Sequence, residues 1–479
     1  MGRNSNSKKR TDSKKMQKTK KASGRNKGAE HAASNTCESV TPAYVDHKIE
    51  GSPTKQDQEI EQDLAEHTQP DTRLALAPQP LPMTATYGDH DPATPINILP
   101  AELLSEIFLE LRASIVADRE PFPDPIPKLD KTITRVCKLW RNIAYGTPTL
   151  WTNLTSQDSE LIDSYLERYL PLASGSLLDL HTRRCADILL TFLEKLRPYA
   201  SRWRALRLFS LGKEFGQIEP LATPSLEYIN IMTAGYEDAD SHISLEFLKD
   251  APRLRRLRLH ASTSPPDLTL VLPPTSRLTA LELQITCLDI ACILPTLQQC
   301  RETLEELEVT IYSPRRRRSP GQPIEFPNLK RISFRYRPCD VLRYINAPNL
   351  EEISFDCDPE EANPALFEFL VRVPTAAAHL RRLEVQNQSA ESVEDLMQCL
   401  EITSNVEELR LGPIGAEAVG EVLWGLTCRD GVAPLLPKLT DFTFSEYRAK
   451  ETTMYNNFKK SRAARRVVCG VEVQALRHA

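Results

Sequence analysis

The chain has 479 residues, a formal net charge of −5, 26% charged residues and 41% hydrophobic residues. It contains no apolar run of about 18 residues, which argues against a membrane-spanning helix and a membrane partner. Residues 1–15, MGRNSNSKKRTDSKK, lack the apolar core of a secretory signal peptide, so we expect the protein in the nucleus and/or the cytoplasm.

Residues 1–94 are predicted to be a disordered tail, because apolar residues are too sparse to offset the entropy of ordering. Charge is segregated within this tail. A basic run extends from Lys8 to Lys21, and an acidic run extends from Asp57 to Asp71. The basic run is a nuclear import signal, a nucleic-acid contact or simply a solvated, self-repelling segment, and the sequence leaves these three readings open.

The stretch NILPAELLSEIFLEL, residues 97–111, predicts an amphipathic helix. Pro100 stands where a helix can begin, since its missing N–H would be unpaired there anyway. The apolar arc spans about 140° of the helix surface, wider than the stripe of roughly 100° of an ordinary core-facing helix. We therefore expect one side of the arc to face the core and the other a partner. The arc consists of Leu103, Leu104, Ile107, Phe108 and Leu111.

A second helical pattern, KTITRVCKLWRNIAYG, follows an irregular Pro-rich insertion at residues 114–128. Gly146 and Pro148 end this pattern. Leu150 and Trp151 then add two large apolar side chains that are expected to pack with the helices. Residues 95–155 are thus expected to form a short all-α unit, which is small for a free-standing core.

From about residue 200 onward a six-residue word, L-x-x-L-x-L with other large apolar residues allowed, recurs ten times at intervals of 21 to 33 residues. Most intervals fall in the range of leucine-rich repeats. Helical patterns at 186–196, 288–297, 364–373 and 391–400 separate several words. One such unit cannot bury its apolar face alone, whereas stacked neighbours build a continuous core. The words begin at Trp203, Leu226, Leu254, Leu278, Leu304, Leu329, Leu350, Leu380, Val406 and Leu439.

The predicted fold class is therefore α/β: a short all-α domain at 95–155 followed by a leucine-rich-repeat-like α/β solenoid of about ten repeats at 201–448. Residues 156–200 are expected to hold linker helices and the start of the solenoid. Residues 449–479 either cap the solenoid or fray.

Two motifs in the helical unit carry a family resemblance. ILPAELLSEIF followed by VCKLWRNIAYGTPTLW resembles an F-box domain, in the form found in fungal F-box proteins with a downstream repeat region. The resemblance covers residues 95–155, although the Pro-rich insertion is longer than the loop usual in the family. It implies a non-catalytic substrate-recognition subunit of an SCF-type (Skp–cullin–F-box) ubiquitin ligase. In that role the F-box domain docks a Skp adaptor, and through it a cullin, while the repeats bind a target protein.

The resemblance also implies which residues contact the Skp adaptor. Apolar anchors supply most of the energy when a helix docks on a partner. The implied contact residues are Leu99, Pro100, Leu103, Leu104, Ile107, Phe108, Leu111, Val136, Cys137, Trp140, Leu150 and Trp151.

Residues that alternate with the strand leucines are predicted to share one face of the sheet, where a target protein would bind. Their charge changes sign between repeats, which favours a protein or peptide over nucleic acid, since nucleic acid favours one continuous basic stripe. Alternatively, neighbouring strands pair opposite charges for solubility and stability. The candidates are Phe209, Tyr228, Arg256, Arg258, His260, Glu306, Glu308, Arg331, Arg335 and Glu352.

Arg315 to Arg318 form a basic cluster in a predicted loop. The cluster is a phosphate contact, a second import signal, a site of phosphorylation at the flanking Ser313 or Ser319, or a solvated loop.

No motif of an enzyme, cofactor site or metal site is apparent. HExxH, GxxxxGK[ST] and GxSxG are missing, and the eleven cysteines include no CxxC pair. We expect no catalytic residue, cofactor or metal, and reduced, buried cysteines. Two other functions stay open: an F-box protein acting outside the ligase as a scaffold or nuclear regulator, and a repeat-based nucleic-acid binder, against which the net charge of −5 argues.

Overall fold

The computed structural model describes residues 99–117, 127–156, 161–182, 186–210, 213–233, 242–248, 250–261, 269–273, 275–315, 322–386, 391–413, 416–445 and 453–477. The chain divides into two units, Met1–Asp89 and His90–Ala479, and all described residues belong to the second. The predicted disordered tail with its basic and acidic runs, and Arg316 to Arg318 of the basic cluster, lie outside the described residues.

Three helices open the described chain: α1 (Ala101–Ala117), α2 (Pro127–Val136) and α3 (Lys138–Tyr145). The prediction of one continuous second helix is wrong, because Cys137 interrupts it. The backbone of Cys137 is extended (φ −158°, ψ 173°), and its Sγ accepts a hydrogen bond from the backbone N–H of Trp140 at 3.4 Å. Cys137 therefore caps α3, and the apolar residues of the pattern are divided between two helix axes.

The remaining helices lie between or beyond the strands. They are α4 (Ile162–Leu172), α5 (Ala186–Leu196), α6 (Leu294–Cys300), α7 (Pro359–Arg372), α8 (Pro374–His379), α9 (Val393–Ile402), α10 (Ala416–Leu426) and α11 (Thr453–Ser461). The strands are β1 (Asn153–Thr155), β2 (Leu178–His181), β3 (Trp203–Ser210), β4 (Tyr228–Thr233), β5 (His242–Ser244), β6 (Arg256–Ala261), β7 (Thr269–Val271), β8 (Ala280–Asp289), β9 (Glu306–Arg315), β10 (Ile324–Glu325), β11 (Arg331–Tyr336), β12 (Ile345–Asn346), β13 (Glu352–Cys357), β14 (Arg382–Val385), β15 (Glu408–Leu411), β16 (Asp441–Phe444), β17 (Arg466–Val468) and β18 (Val471–Val473).

The described residues form one parallel sheet of twelve strands whose spatial order is their order in the chain. It runs β1-β2-β3-β4-β6-β8-β9-β11-β13-β14-β15-β16. The predicted mixed α/β class is confirmed. β5 with β7, and β10 with β12, form two further parallel pairs.

The ten words of the sequence occupy ten consecutive strands of this sheet. In nine of them the strand begins at the third residue of the word, as in LRRLRL, where Leu254 precedes β6 at Arg256. The register keeps equivalent positions side by side, so that Leu257 pairs with Leu281 and Leu281 with Leu307. The apolar side chains of one face join those of the helices in a single buried cluster, which reaches from Leu104 to Phe458. Period-two alternation along each strand explains why this face is buried while the other carries polar residues.

Two details of the predicted elements differ from the structure. β1 and β2 precede the first word and were not predicted, because neither contains the six-residue pattern. The helix predicted at 288–297 begins only at Leu294, because Leu288 and Asp289 continue β8.

The C-terminal segment covers the last strand of the sheet. Phe458 of α11 packs edge-on against Phe442 of β16 at a ring distance of 5.0 Å. The fully buried guanidinium of Arg462 donates to the carbonyls of Leu426 (3.0 Å) and Leu436 (2.9 Å). Of the two alternatives for this segment, capping and fraying, the packing of residues 453–477 beside β16 agrees with a cap.

Candidate functional site

The apolar arc of α1 has an inner and an outer side. Leu104 and Phe108 are fully buried, and Phe108 packs on Trp140 with the ring centroids 4.9 Å apart. Trp151 is also buried, and its Nε1 donates to the carbonyl of Ala144 at 2.8 Å. The assignment of Leu104, Phe108 and Trp151 to the partner surface is therefore corrected, because these side chains already fill the interior of this chain.

The outer side of α1 presents apolar side chains to solvent. Leu103, Ile107 and Leu111 are 46%, 43% and 43% exposed, and their spacing of four residues places them along one side of the helix. We call these three residues the exposed row. Val136, at the end of α2, is 54% exposed.

The other implied adaptor contacts lie between these extremes. Leu99, Trp140 and Leu150 are half-buried and pack against the core, whereas Pro100 is exposed. Cys137 is half-buried, and its sulfur caps α3.

A half-buried arginine connects α1 to the start of the sheet. Arg112 donates from Nη2 to Thr152 Oγ1 at 3.1 Å, and a second bond from Nη1 reaches the carbonyl of Thr149. Burial lowers the pKa of Arg112, and the nearby carboxylate of Asp179 opposes this shift. His181 of β2 lies in the same region, where burial, reinforced by Arg207, lowers its pKa to about 3. These contacts hold the outer side of α1 in a fixed orientation relative to the sheet.

The polar face of the sheet forms an open groove of about 990 Å³. We call this face the groove face. Most of the predicted target-binding candidates line the groove: Tyr228, Arg256, Arg258, Glu306, Glu308, Arg331 and Glu352. The other candidates, Phe209, His260 and Arg335, lie on the same face nearer the carboxyl ends of the strands.

One half of the groove face carries alternating charges. Glu306, Arg331, Glu352 and Arg382 occupy the same register position in β9, β11, β13 and β14, and Glu408 of β15 continues the row. We call these five residues the charge ladder. Neighbouring strands lie about 4.8 Å apart, so each charge lies beside its opposite.

Ion pairs form along and beside the charge ladder. Arg331 pairs with Glu306, and Arg382 Nε lies 3.7 Å from Glu408 Oε2. Arg335 Nη2 lies 3.2 Å from Glu308 Oε1 in the adjoining row. The alternative interpretation of the charge pattern, in which neighbouring strands pair opposite charges, thus describes this half of the groove face.

The other half of the groove face, on β3, β4 and β6, is aromatic and basic. The guanidinium of Arg207 lies 5.8 Å from the ring centroid of Tyr228. Arg258 Nε lies 2.7 Å from Glu282 Oε1, and burial raises the pKa of Glu282. Within the described ranges, no ion pair involves Arg207, Arg253 or Arg256. We call Arg207, Tyr228, Arg253 and Arg256 the arginine end of the groove.

Two residues of the arginine end were not among the predicted candidates. Arg207 occupies an alternating position of the first word, as Phe209 does, so the strand pattern predicts it on this face although it is not one of the named candidates. Arg253 precedes the word in APRLRRLRLH and lies outside β6, so strand alternation gives no signal for it.

His260 of β6, also on the groove face, is held towards its neutral form. Burial, reinforced by the adjacent Arg258, lowers its pKa. The groove face therefore gains no positive charge from His260 at neutral pH.

No model of a known protein family matches the chain, and no curated protein matches it either.

In the part of the chain that the structure describes, no group of three His, Cys, Asp or Glu side chains is arranged to hold a metal ion. None of the described helices combines the length and the apolar composition needed to cross a membrane.

Proposed function

We propose that this protein is the substrate-recognition subunit of an SCF-type ubiquitin ligase. Residues 95–155 would act as the F-box domain that binds a Skp adaptor, and residues 201–448 as a leucine-rich-repeat-like solenoid that binds the target protein. The observation that carries the proposal is the exposed row on α1, whose opposite side is anchored in the core by Leu104 and Phe108.

The exposed row supports adaptor docking on energetic grounds. Fully burying one Leu or Ile side chain is worth about 1.5–3 kcal/mol, so covering three side chains that are nearly half exposed is worth roughly 2–4 kcal/mol. Within this chain the row gains none of that energy. A helix that lays an apolar side into a partner's groove is a common mode of protein recognition.

The sheet supports the second half of the proposal. Ten sequence words fall on ten consecutive parallel strands, and the intervening connections cover one face while the groove face stays open. This arrangement is the one expected of stacked repeats, each of which contacts only its neighbours. The carboxylates of Glu306, Glu308 and Glu352 on the groove face favour a protein target over nucleic acid.

Binding to a purified Skp adaptor tests the proposal. The wild-type chain should bind, and Leu103→Ala/Ile107→Ala/Leu111→Ala should weaken binding on the order of 100-fold, because about 3 kcal/mol of apolar contact is removed. The matched control is Val371→Ala/Ile402→Ala/Val467→Ala, which also truncates three exposed apolar side chains and should bind normally. No binding by the wild type, or equal binding by the two triple variants, would refute the proposal. A chain that binds the adaptor but recruits no cullin would instead act outside the ligase.

A further inference from the structure

We propose that the arginine end of the groove holds an acidic stretch of the bound target protein. This inference rests on the proposed function only in taking the bound peptide to be part of a ligase target.

The first support is the lack of partners for these cations. Arg207, Arg253 and Arg256 line the groove, yet within the described ranges their side chains form no ion pair and no hydrogen bond. The Nη groups of Arg207 have no acceptor within the described ranges and, unlike its enclosed Nε, are not buried. An incoming carboxylate would supply the acceptors that these Nη groups lack.

The second support is the contrast with the rest of the groove face. Along the charge ladder each arginine lies beside glutamates of the neighbouring strands, as Arg331 does with Glu306 and Glu352. At the arginine end Ala280 separates Arg256 from Glu306, so two strand spacings, about 10 Å, divide the nearest charges of that row. Glu227 and Glu282 also line this end of the groove, but they face five guanidiniums, so cations outnumber carboxylates here, unlike along the charge ladder. The five are Arg207, Arg253, Arg255, Arg256 and Arg258.

The third support is the distribution of the cations. Arg207 lies on β3 and Arg256 on β6, with β4 between them and an offset of two residues, so their backbones are about 12 Å apart. An extended peptide covers that distance with about four residues. Several separate carboxylates along a peptide fit this spacing better than one compact anion does. The ring of Tyr228 lies between the two strands, and tyrosine with arginine is a typical composition of binding hot spots.

The groove also limits the length of the acidic stretch. Glu306 and Glu308 of β9 lie about 10 Å beyond β6, and Glu352 lies two strands further on. A nucleic-acid strand would bring its own negative charge against these carboxylates. A peptide avoids this conflict, because its side chains can change from acidic to neutral or basic within a few residues.

Peptide binding to the full-length chain tests the inference. The probes are fluorescent peptides of about 12 residues with a central Glu-Asp-Glu-Asp, Gln-Asn-Gln-Asn or Lys-Arg-Lys-Arg, and a single-stranded DNA of about 12 nucleotides. The acidic peptide should bind at least about tenfold more tightly than the amide peptide. Arg207→Gln/Arg256→Gln should abolish that preference. The control Arg301→Gln/Arg343→Gln removes the same amount of charge from two helical connections. This control should retain the preference for the acidic peptide.

Three results would overturn the inference: no preference of the wild type for the acidic peptide, equal loss of the preference in both double variants, or tighter binding of the DNA than of the acidic peptide. Thermal melts of both variants show whether they are folded, and Arg256→Gln alone, at an exposed position, repeats the test if the double variant is not. The peptide assay contains no adaptor, so the two proposals can fail separately. If only the proposed function is wrong, the chain does not bind the adaptor but still prefers the acidic peptide.

Discussion

Arg112 of α1 donates to Oγ1 of Thr152, the residue that immediately precedes β1, across 3.1 Å. A half-buried cation thus connects the helix that carries the exposed row to the first strand of the sheet. Both candidate surfaces are built on one continuous core. A partner bound to α1 is therefore held in a defined orientation to whatever occupies the groove.

Removing the Arg112 side chain should loosen this connection. Arg112→Ala deletes the bonds to Thr149 and Thr152 and should lower the free energy of unfolding by about 1–3 kcal/mol. Hydrogen exchange of the α1 amides should accelerate. The control Arg168→Ala removes an exposed arginine that lies over the ring of Tyr169 and should change the free energy of unfolding by less than about 1 kcal/mol. Equal effects of the two variants would contradict the connecting role of Arg112.

Neighbouring residues of α1 should respond to truncation in opposite ways. Phe108→Ala should lower the free energy of unfolding by about 3–5 kcal/mol, because it leaves a cavity beside Trp140. Ile107→Ala should change it by less than about 1 kcal/mol, because Ile107 is exposed, yet it should weaken adaptor binding. Urea denaturation and adaptor binding, measured on both variants, check this. A similar loss of stability in the two variants would mean that the exposed row is part of the core.

His181 should make the protein sensitive to mild acid. Its pKa is about 3 in the folded chain and about 6.5 when unfolded, so between these values the unfolded state binds more protons and stability rises with pH. The contribution is complete above pH 6.5 and is lost as the pH falls towards 3. Between pH 7 and pH 5 the loss should be about 2 kcal/mol. Urea denaturation at both pH values should show a smaller difference for His181→Gln than for the wild type. An unchanged difference would assign the acid sensitivity to other groups.

Gly412 should not tolerate a side chain. A Cβ at this position would lie 2.8 Å from Cα and Cβ of Gln386 on the neighbouring strand connection, so Gly412→Ala requires the backbone to shift. We expect a loss of about 1–3 kcal/mol in the free energy of unfolding. Gly216→Ala is the matched control, because a Cβ there has no atom within 4 Å. Equal melting temperatures of the two variants would show that the chain relaxes at Gly412 without cost.

The repeated words predicted the main sheet because their signal is local. Nine of the ten words place an apolar residue such as Leu254 in the core two residues before the strand begins, and the intervals predict parallel neighbours. β1 and β2 carry too few residues for such a signal. The break at Cys137 was not predictable from helical periodicity, because it depends on a thiol that accepts a backbone hydrogen bond.

The candidate surfaces were predictable only in part, because burial depends on distant segments. Leu103 and Leu104 look alike in the sequence, and only the packing of the neighbouring segments decides which one is enclosed. Likewise Arg256 and Arg331 occupy the same register position in their strands, but only Arg331 has glutamates on both sides. The sequence thus identified the groove face but not the difference between its two halves.

The intervals between the starts of successive words vary from 21 to 33 residues, yet equivalent residues of neighbouring strands remain paired in register. Position along the groove therefore follows position along the chain, whatever the length of the intervening loops. Lengthening or replacing a connection alters the face of the sheet that the connections cover. It leaves the order of side chains on the groove face unchanged. The two sides of the sheet are thus free to diverge independently, one for packing and the other for the choice of partner.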